Sequence, residues 1–219
     1  MSILADDSTA LAVLAAVPCY PVPPTGASPA IDALRASRVG HGIVIGRDGV
    51  MLIVRRPWLA LDVIVSDQIA THVPYGSVGR GRADLVCGLI PHHHWAMVLH
   101  HFRSSLPNEA AAFVFWNERT GEFYVNFPMI DEATPSRLVY RTPSMPGDWH
   151  LVCDIHSHGH SAAFFSATDD ADDAGSTKIA MVIGRLGGPH APTMEARICA
   201  NGRFYTMQRS PFEGVTDEH

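Results

Sequence analysis

The sequence predicts an α+β fold: a mixed β-sheet flanked by helices, with a small β-rich region ahead of it. Three observations carry that prediction. Short β-branched runs separated by turn residues begin near Val39, one well-marked amphipathic helix spans Pro91 to Ser105, and an Asn201-Gly202 hairpin signal lies near the end. At 219 residues and 47% hydrophobic composition, the chain can bury a substantial core. Three regions are expected: an N-terminal segment with a proline-rich linker (1–30), a small β-rich region (31–85) and a main domain (86–219).

In chain order, the apolar stretch Leu11–Val17 is short and follows Asp6 and Asp7 where a signal peptide requires basic residues, so export is not expected. Pro18 to Pro29 carries proline at 18, 21, 23, 24 and 29 and reads as a linker, incompatible with helix or sheet ladder. Val39–Ile45, Val50–Arg55 and Trp58–Val65 then read as strands of a small antiparallel sheet, the first two flanking Arg47-Asp48-Gly49. In the following helix Trp95, Val98 and Phe102 share a face with Leu106, Pro91 suits the first turn and Pro107 stops it. Ala112–Trp116 and Glu122–Phe127 form a hairpin, Thr142 to Asp148 is irregular, and Trp149–Ile155 is a strand. Lys178–Ile183 is a buried strand, and Met194–Ala200 pairs with Arg203–Gln208 across Asn201-Gly202, which supplies two positive φ values.

Composition excludes several classes. A formal net charge of -6 with only 16 scattered lysines and arginines gives no phosphate-binding surface, so no direct nucleic-acid ligand is expected. No apolar run approaches the ~20 residues needed to span a bilayer. The four cysteines lack C-x-x-C spacing, which disfavours a zinc ribbon or disulfide scaffold and fits a reducing cytoplasm.

The chemistry concentrates after Ile155. The segment from His156 to Asp169 has the skeleton H-x-H-x7-S-x2-D, built from His156, His158, Ser166 and Asp169. Residues two apart at a strand end project to the same side, so the two imidazoles can face one ion. A loop then returns the chain to Asp169, in the first turn of a helix beginning near Ser166. Three protein ligands leave a fourth position open, the arrangement of a catalytic zinc. A competing reading makes Ser166-x-x-Asp169 a capping box with no metal. A calcium loop from Asp170 to Gly175 is excluded, because Ala174 and Met181 stand where oxygen ligands are needed. His92, His93, His94, His100 and His101 read as a solvated or partly packed helix face. His160 is left as a neighbour of the metal without an assigned role.

These residues resemble the JAMM (MPN-like) zinc metalloproteases, whose signature is a distant glutamate followed by H-S/T-H-x7-S-x2-D. The resemblance covers roughly Leu89 to Gln208 and implies a JAMM/MPN-like fold. It singles out Glu109 among seven glutamates, because Pro107-Asn108-Glu109-Ala110-Ala111 sits after a helix and opens an apolar run. It further implies that His156, His158 and Asp169 bind one Zn2+, that Glu109 is the general base, and that Ser166 donates to the oxyanion. More narrowly, the front extension, the region near Trp58 and the stretch Arg197 to Tyr205 look like the protein A family of PRTRC (ParB-related, ThiF-related cassette) systems.

That narrower resemblance implies a substrate: the C-terminal tail, or isopeptide bond, of a ubiquitin-like protein, with a ubiquitin-activating-like protein of the same cassette as a further partner. The alternatives are a hydrolase acting on a sulfur-carrier-type adduct and a non-catalytic MPN-like interaction module. Two departures from eukaryotic relatives are visible. Gly159 replaces a common proline after the second histidine, which is expected to loosen that turn and widen access. Nothing between Phe127 and Trp149 announces the longer insertions that position ubiquitin, so polyubiquitin specificity is not carried over.

Overall fold

The computed structural model describes residue 12 and residues 16–69, 71–141 and 143–215. Most of Leu11–Val17 therefore lies outside the described residues. The chain divides into two compact units, Met1–Val86 and Cys87–His219.

In the first unit, β1 (Cys19–Pro21), β2 (Gly40–Gly46), β3 (Gly49–Arg56), β4 (Leu59–Ser66) and β5 (Arg82–Leu85) form one sheet in that order. The three runs predicted from β-branched patterning are strands, paired antiparallel. The proline-rich segment corrects the sequence expectation, because Cys19–Pro21 pairs parallel with β2 as an edge strand. Ladder bonds join Ile43 N to Pro18 O and Val22 N to Ile45 O. Strand alternation turns the Pro21 nitrogen away from β2, so its missing N–H costs no ladder bond. Pro29 likewise opens a helix, α1 (Pro29–Ala36), at the position where proline is tolerated, with Ser28 Oγ accepting from Ile31 N. Ile31 enters the core of this unit with Val22, Val44, Met51, Ile53 and Val78.

The second unit holds α2 (His92–Ser105), β6 (Ala111–Asn117), β7 (Phe123–Asn126), β8 (Ile130–Thr134), β9 (Arg137–Tyr140), β10 (Trp149–Ser157), α3 (Ala167–Asp173), β11 (Lys178–Gly184), β12 (Thr193–Ala200) and β13 (Arg203–Thr206). Its main sheet has the order β13-β12-β11-β10-β6-β7. Only β10 and β11 pair in parallel, the connection between them running through α3. The mixed α+β architecture is the one the patterning predicts.

The helix buries Trp95, Val98 and Phe102 as its periodicity requires, and His94 with them. Leu106 lies just past the last turn. At the second predicted hairpin, Asn201 and Gly202 both adopt positive φ, 50° and 71°. The sequence did not announce the β8–β9 ribbon, none of whose residues is fully buried. No helix among the described residues is long and apolar enough to cross a membrane.

Candidate metal centre

The centre sits at the C-terminal end of β10, a central strand buried by its neighbours on both sides. His156 lies opposite Ala111 of β6 and Val182 of β11, and pairing continues one step beyond the strand through His158 N to Ile183 O at 2.9 Å. Strand alternation puts the two imidazoles on one side and Ser157 on the other. His156 Nε2 and His158 Nε2 are 3.3 Å apart, and His156 Nε2 is 3.4 Å from Asp169 Oδ1. All three ligand atoms lie within 4.8 Å of one another.

These separations fit a metal. Ligand atoms about 2.0–2.1 Å from a tetrahedral zinc are separated from each other by about 3.3–3.4 Å. His158 Nδ1 faces Ala162 O at 3.4 Å, which favours the tautomer that leaves Nε2 free as a ligand. Burial lowers the pKa of His156 and keeps the ring neutral, as a ligand must be, while Asp169, Asp154 and Asp173 each favour positive charge there. Burial alone would raise the Asp169 carboxyl, but hydrogen bonding from Ser166 and the adjacent histidines outweigh it and hold the group below the usual range. A His156 ring kept neutral, an ionised carboxylate and a negative surrounding field suit a divalent cation.

The capping box and the ligand set coexist. Ser166 caps α3, its Oγ accepting from Asp169 N at 3.3 Å while Asp169 Oδ2 accepts from Ser166 N at 2.6 Å. Asp169 uses the other oxygen, Oδ1, toward His156. A serine hydroxyl that accepts still has its proton to donate.

Glu109 is half-buried and follows the turn that ends α2. Its backbone N donates to Thr134 O of the β8–β9 ribbon at 3.0 Å. Burial raises the pKa of its carboxyl, and the charge of Asp169 raises it further, which places Glu109 within electrostatic reach of the ligand cluster. Ser157, which sequence reasoning passed over, anchors this segment from the far side of β10. Its Oγ accepts from Ala110 N and its own N donates to Ala110 O, both at 2.9 Å. Only the register reveals that link.

Gly159 corrects an expectation. It is buried with φ +51°, and a Cβ there would lie 3.2 Å from Pro107 O, so the turn is packed against the chain leading to Glu109 and is not loosened. The loop is pinned further by Leu186 N to Gly159 O and Arg185 N to Ser161 O. At Gly184 a Cβ would meet Ser161 O at 2.3 Å, so only glycine permits that approach. His160 is exposed and packs against Gly187, apart from the ligand atoms. In the α2 histidine cluster, His94 lies against Phe123 and His101 against Phe127. Among the described residues neither belongs to a group of close ligand atoms.

Comparison with known proteins gives two family matches. Residues 91–199 match the prokaryotic homologs of the JAB domain, and residues 7–86 match a domain of unknown function, DUF2016. No curated protein matches the chain. The solution structure of protein DSY2949 from Desulfitobacterium hafniense is similar at 16% identity and a TM-score of 0.37, covering 59% of this chain and 98% of that one. A likeness at that score carries no weight for the site.

Proposed function

Since residues 91–199 belong to the prokaryotic JAB family, whose members are hydrolases or interaction modules, we propose that this chain is a zinc-dependent hydrolase cleaving the peptide or isopeptide bond at the C-terminal tail of a ubiquitin-like protein. The observation that carries the reading is the ligand cluster. Two imidazoles and a carboxylate oxygen lie within 4.8 Å of one another, His156 at tetrahedral-edge spacing from both His158 and Asp169, with a raised-pKa glutamate in electrostatic reach. An interaction module needs neither feature.

Zinc held by His156, His158 and Asp169 would supply Lewis acidity toward water and the scissile carbonyl. Glu109 takes the proton of the attacking water on its carboxylate, holds it, and delivers it to the leaving nitrogen. A carboxyl raised by burial suits a group that both accepts and returns a proton near neutral pH. Ser166 donates a hydrogen bond from its hydroxyl to the oxygen on which negative charge develops. Its Oγ is fixed by accepting from Asp169 N, so this donor is in place before substrate arrives. The ubiquitin-like substrate and a ubiquitin-activating-like partner rest on the narrower sequence resemblance.

The test is cleavage of a ubiquitin-like protein carrying a C-terminal extension, with and without a chelator. Chelator-sensitive cleavage that is lost in Glu109→Ala, at unchanged zinc content, supports the reading. Tight binding of such a protein with no cleavage by zinc-loaded wild type would make the chain an interaction module. Cleavage confined to a sulfur-carrier-type adduct would move the substrate class.

A further inference from the structure

Behind the ligand cluster lies a lattice of charges, buried except at Asp170, that the proposed chemistry does not use. Asp154, two residues before His156 on β10, accepts from Lys178 Nζ at 2.5 Å, and Lys178 also meets Asp173 Oδ1 at 2.8 Å. Arg197 of β12 completes it. One arm of its guanidinium reaches Asp170 Oδ1 at 2.5 Å and the other Asp173 Oδ2 at 2.7 Å. The flat of the group is held between the rings of Phe165 and Phe204, 3.8 and 3.9 Å from their centroids. Arg197 is 6% exposed and Asp173 5%.

All three of these α3-side partners flank one residue. Phe165 precedes the cap Ser166, Asp170 follows Asp169 directly, and Asp173 ends the helix. A helix of seven residues has little stability of its own. Its first turn is fixed by the capping box, and the face carrying Asp170 and Asp173 by the Arg197 fork. We propose that Arg197 is a positioning residue for Asp169, fixing the orientation of α3 so that Oδ1 reaches the two histidines; this rests on the metal-site reading above.

A purely stabilising role accounts poorly for the arrangement. Buried ion pairs gain little over apolar packing of the same volume, and the Arg197 Nε is buried with no hydrogen-bond partner, a further cost. What a stacked, two-armed guanidinium provides is a single geometry. A lysine keeps the charge and loses both the fork and the stack.

The experiment compares wild type, Arg197→Lys, Arg197→Met and His156→Ala in full-length protein. Zinc affinity is measured by competition with a chromophoric chelator, ligand geometry by the visible spectrum of the Co2+-loaded protein, and fold by thermal unfolding of the metal-free forms. Wild type is expected to bind one zinc with a four-coordinate cobalt spectrum. Arg197→Lys should weaken zinc about 10- to 100-fold, the usual effect of losing an outer-shell support. Its cobalt band should weaken or shift even where the metal-free midpoint is close to wild type. Should Arg197→Met fail to fold, the lysine variant decides. Wild-type zinc affinity and an unchanged cobalt spectrum in Arg197→Lys would make Arg197 structural only and overturn the proposal. A wild type whose zinc binding is indifferent to His156→Ala would overturn the metal site itself, and this inference with it.

Discussion

Ser166 donates its backbone N–H to Oδ2 of Asp169 at 2.6 Å, and Asp169 returns its own N–H to Ser166 Oγ at 3.3 Å. On sequence alone this pair is either a capping box or part of a metal site. The two oxygens of Asp169 leave room for both, since the capping box uses Oδ2 and Oδ1 is left facing His156. Helix initiation and ligand placement are thereby coupled through one carboxylate.

That coupling makes the two roles of Ser166 separable. Ser166→Ala removes the cap and the hydroxyl donor together. It should cost about 1 kcal/mol in unfolding of the metal-free protein and slow cleavage by about 10²–10³-fold. Ser166→Asp restores a capping oxygen but offers no proton at neutral pH, so its stability should recover while its activity does not. Recovery of cleavage in the aspartate variant, measured beside unfolding midpoints and zinc content, would remove Ser166 from oxyanion stabilisation.

Glu109 should show a trade between stability and activity. Its carboxyl is raised by burial first and by Asp169 second, so the ionised form is unfavourable in the folded metal-free protein. The sign follows from linkage: an acid whose folded pKa is raised destabilises the fold above that pKa and stops doing so below its ordinary value. Glu109→Gln should therefore raise the metal-free unfolding midpoint at pH 7. The gain should vanish as pH falls toward 4.5, the ordinary value for glutamate. Cleavage should fall at least 10²-fold at unchanged zinc stoichiometry. A glutamine variant no more stable than wild type at neutral pH would contradict the electrostatic placement of Glu109.

Ser157 should act on the base without touching the metal. It is fully buried, and its Oγ accepts from Ala110 N beside Glu109. Ser157→Val leaves that amide without its side-chain partner, at a cost of about 1–3 kcal/mol. Turnover should drop while zinc affinity stays near wild type, and Ser157→Thr, which keeps the oxygen, should recover most of both losses. If valine weakened zinc as strongly as turnover, Ser157 would be supporting the histidines and not the base.

The parts of this arrangement that were legible in the sequence are those encoded by local periodicity. His156 and His158 two apart at a strand end, Ser166 and Asp169 at capping distance, and the Asn201-Gly202 turn all follow from one-dimensional spacing. Glu109 did not follow from spacing; only the family signature singled it out, because its distance in sequence carries no geometric information. Arg197 and Ser157 needed the register. Arg197 pairs with Ala180 across β11, and only the order β12-β11-β10 brings it behind the ligand strand. The proline-rich front was misread because proline was taken to exclude a ladder, whereas an edge strand has a side on which an absent N–H is harmless. The β8–β9 ribbon escaped because its strands are short and bury no residue fully, and the alternation in the four residues of β9 is too brief to mark a strand.

The final prediction concerns acid. His156, His94 and His101 all have pKa values lowered by burial first, with a neighbouring histidine adding to the effect in each and, at His156, carboxylates opposing it. For a base whose folded pKa is depressed, the unfolded chain binds more protons, so stability is full above the unfolded value of 6.5 and is lost as pH falls toward the folded value. Urea midpoints of the metal-free protein should thus decline steadily from pH 7 to pH 5. Glu109 works in the opposite sense within the acidic part of that window, and the slope is read most cleanly in the Glu109→Gln background. His94→Phe, which keeps a ring beside Phe123 and cannot be protonated, should flatten part of the slope without altering zinc affinity. Zinc competes with protons for His156, so loading the site should hold the midpoint up until the histidine ligands protonate. A metal-free midpoint that is level or rising from pH 7 to pH 5 in the glutamine background would show that these rings are not held neutral by the fold.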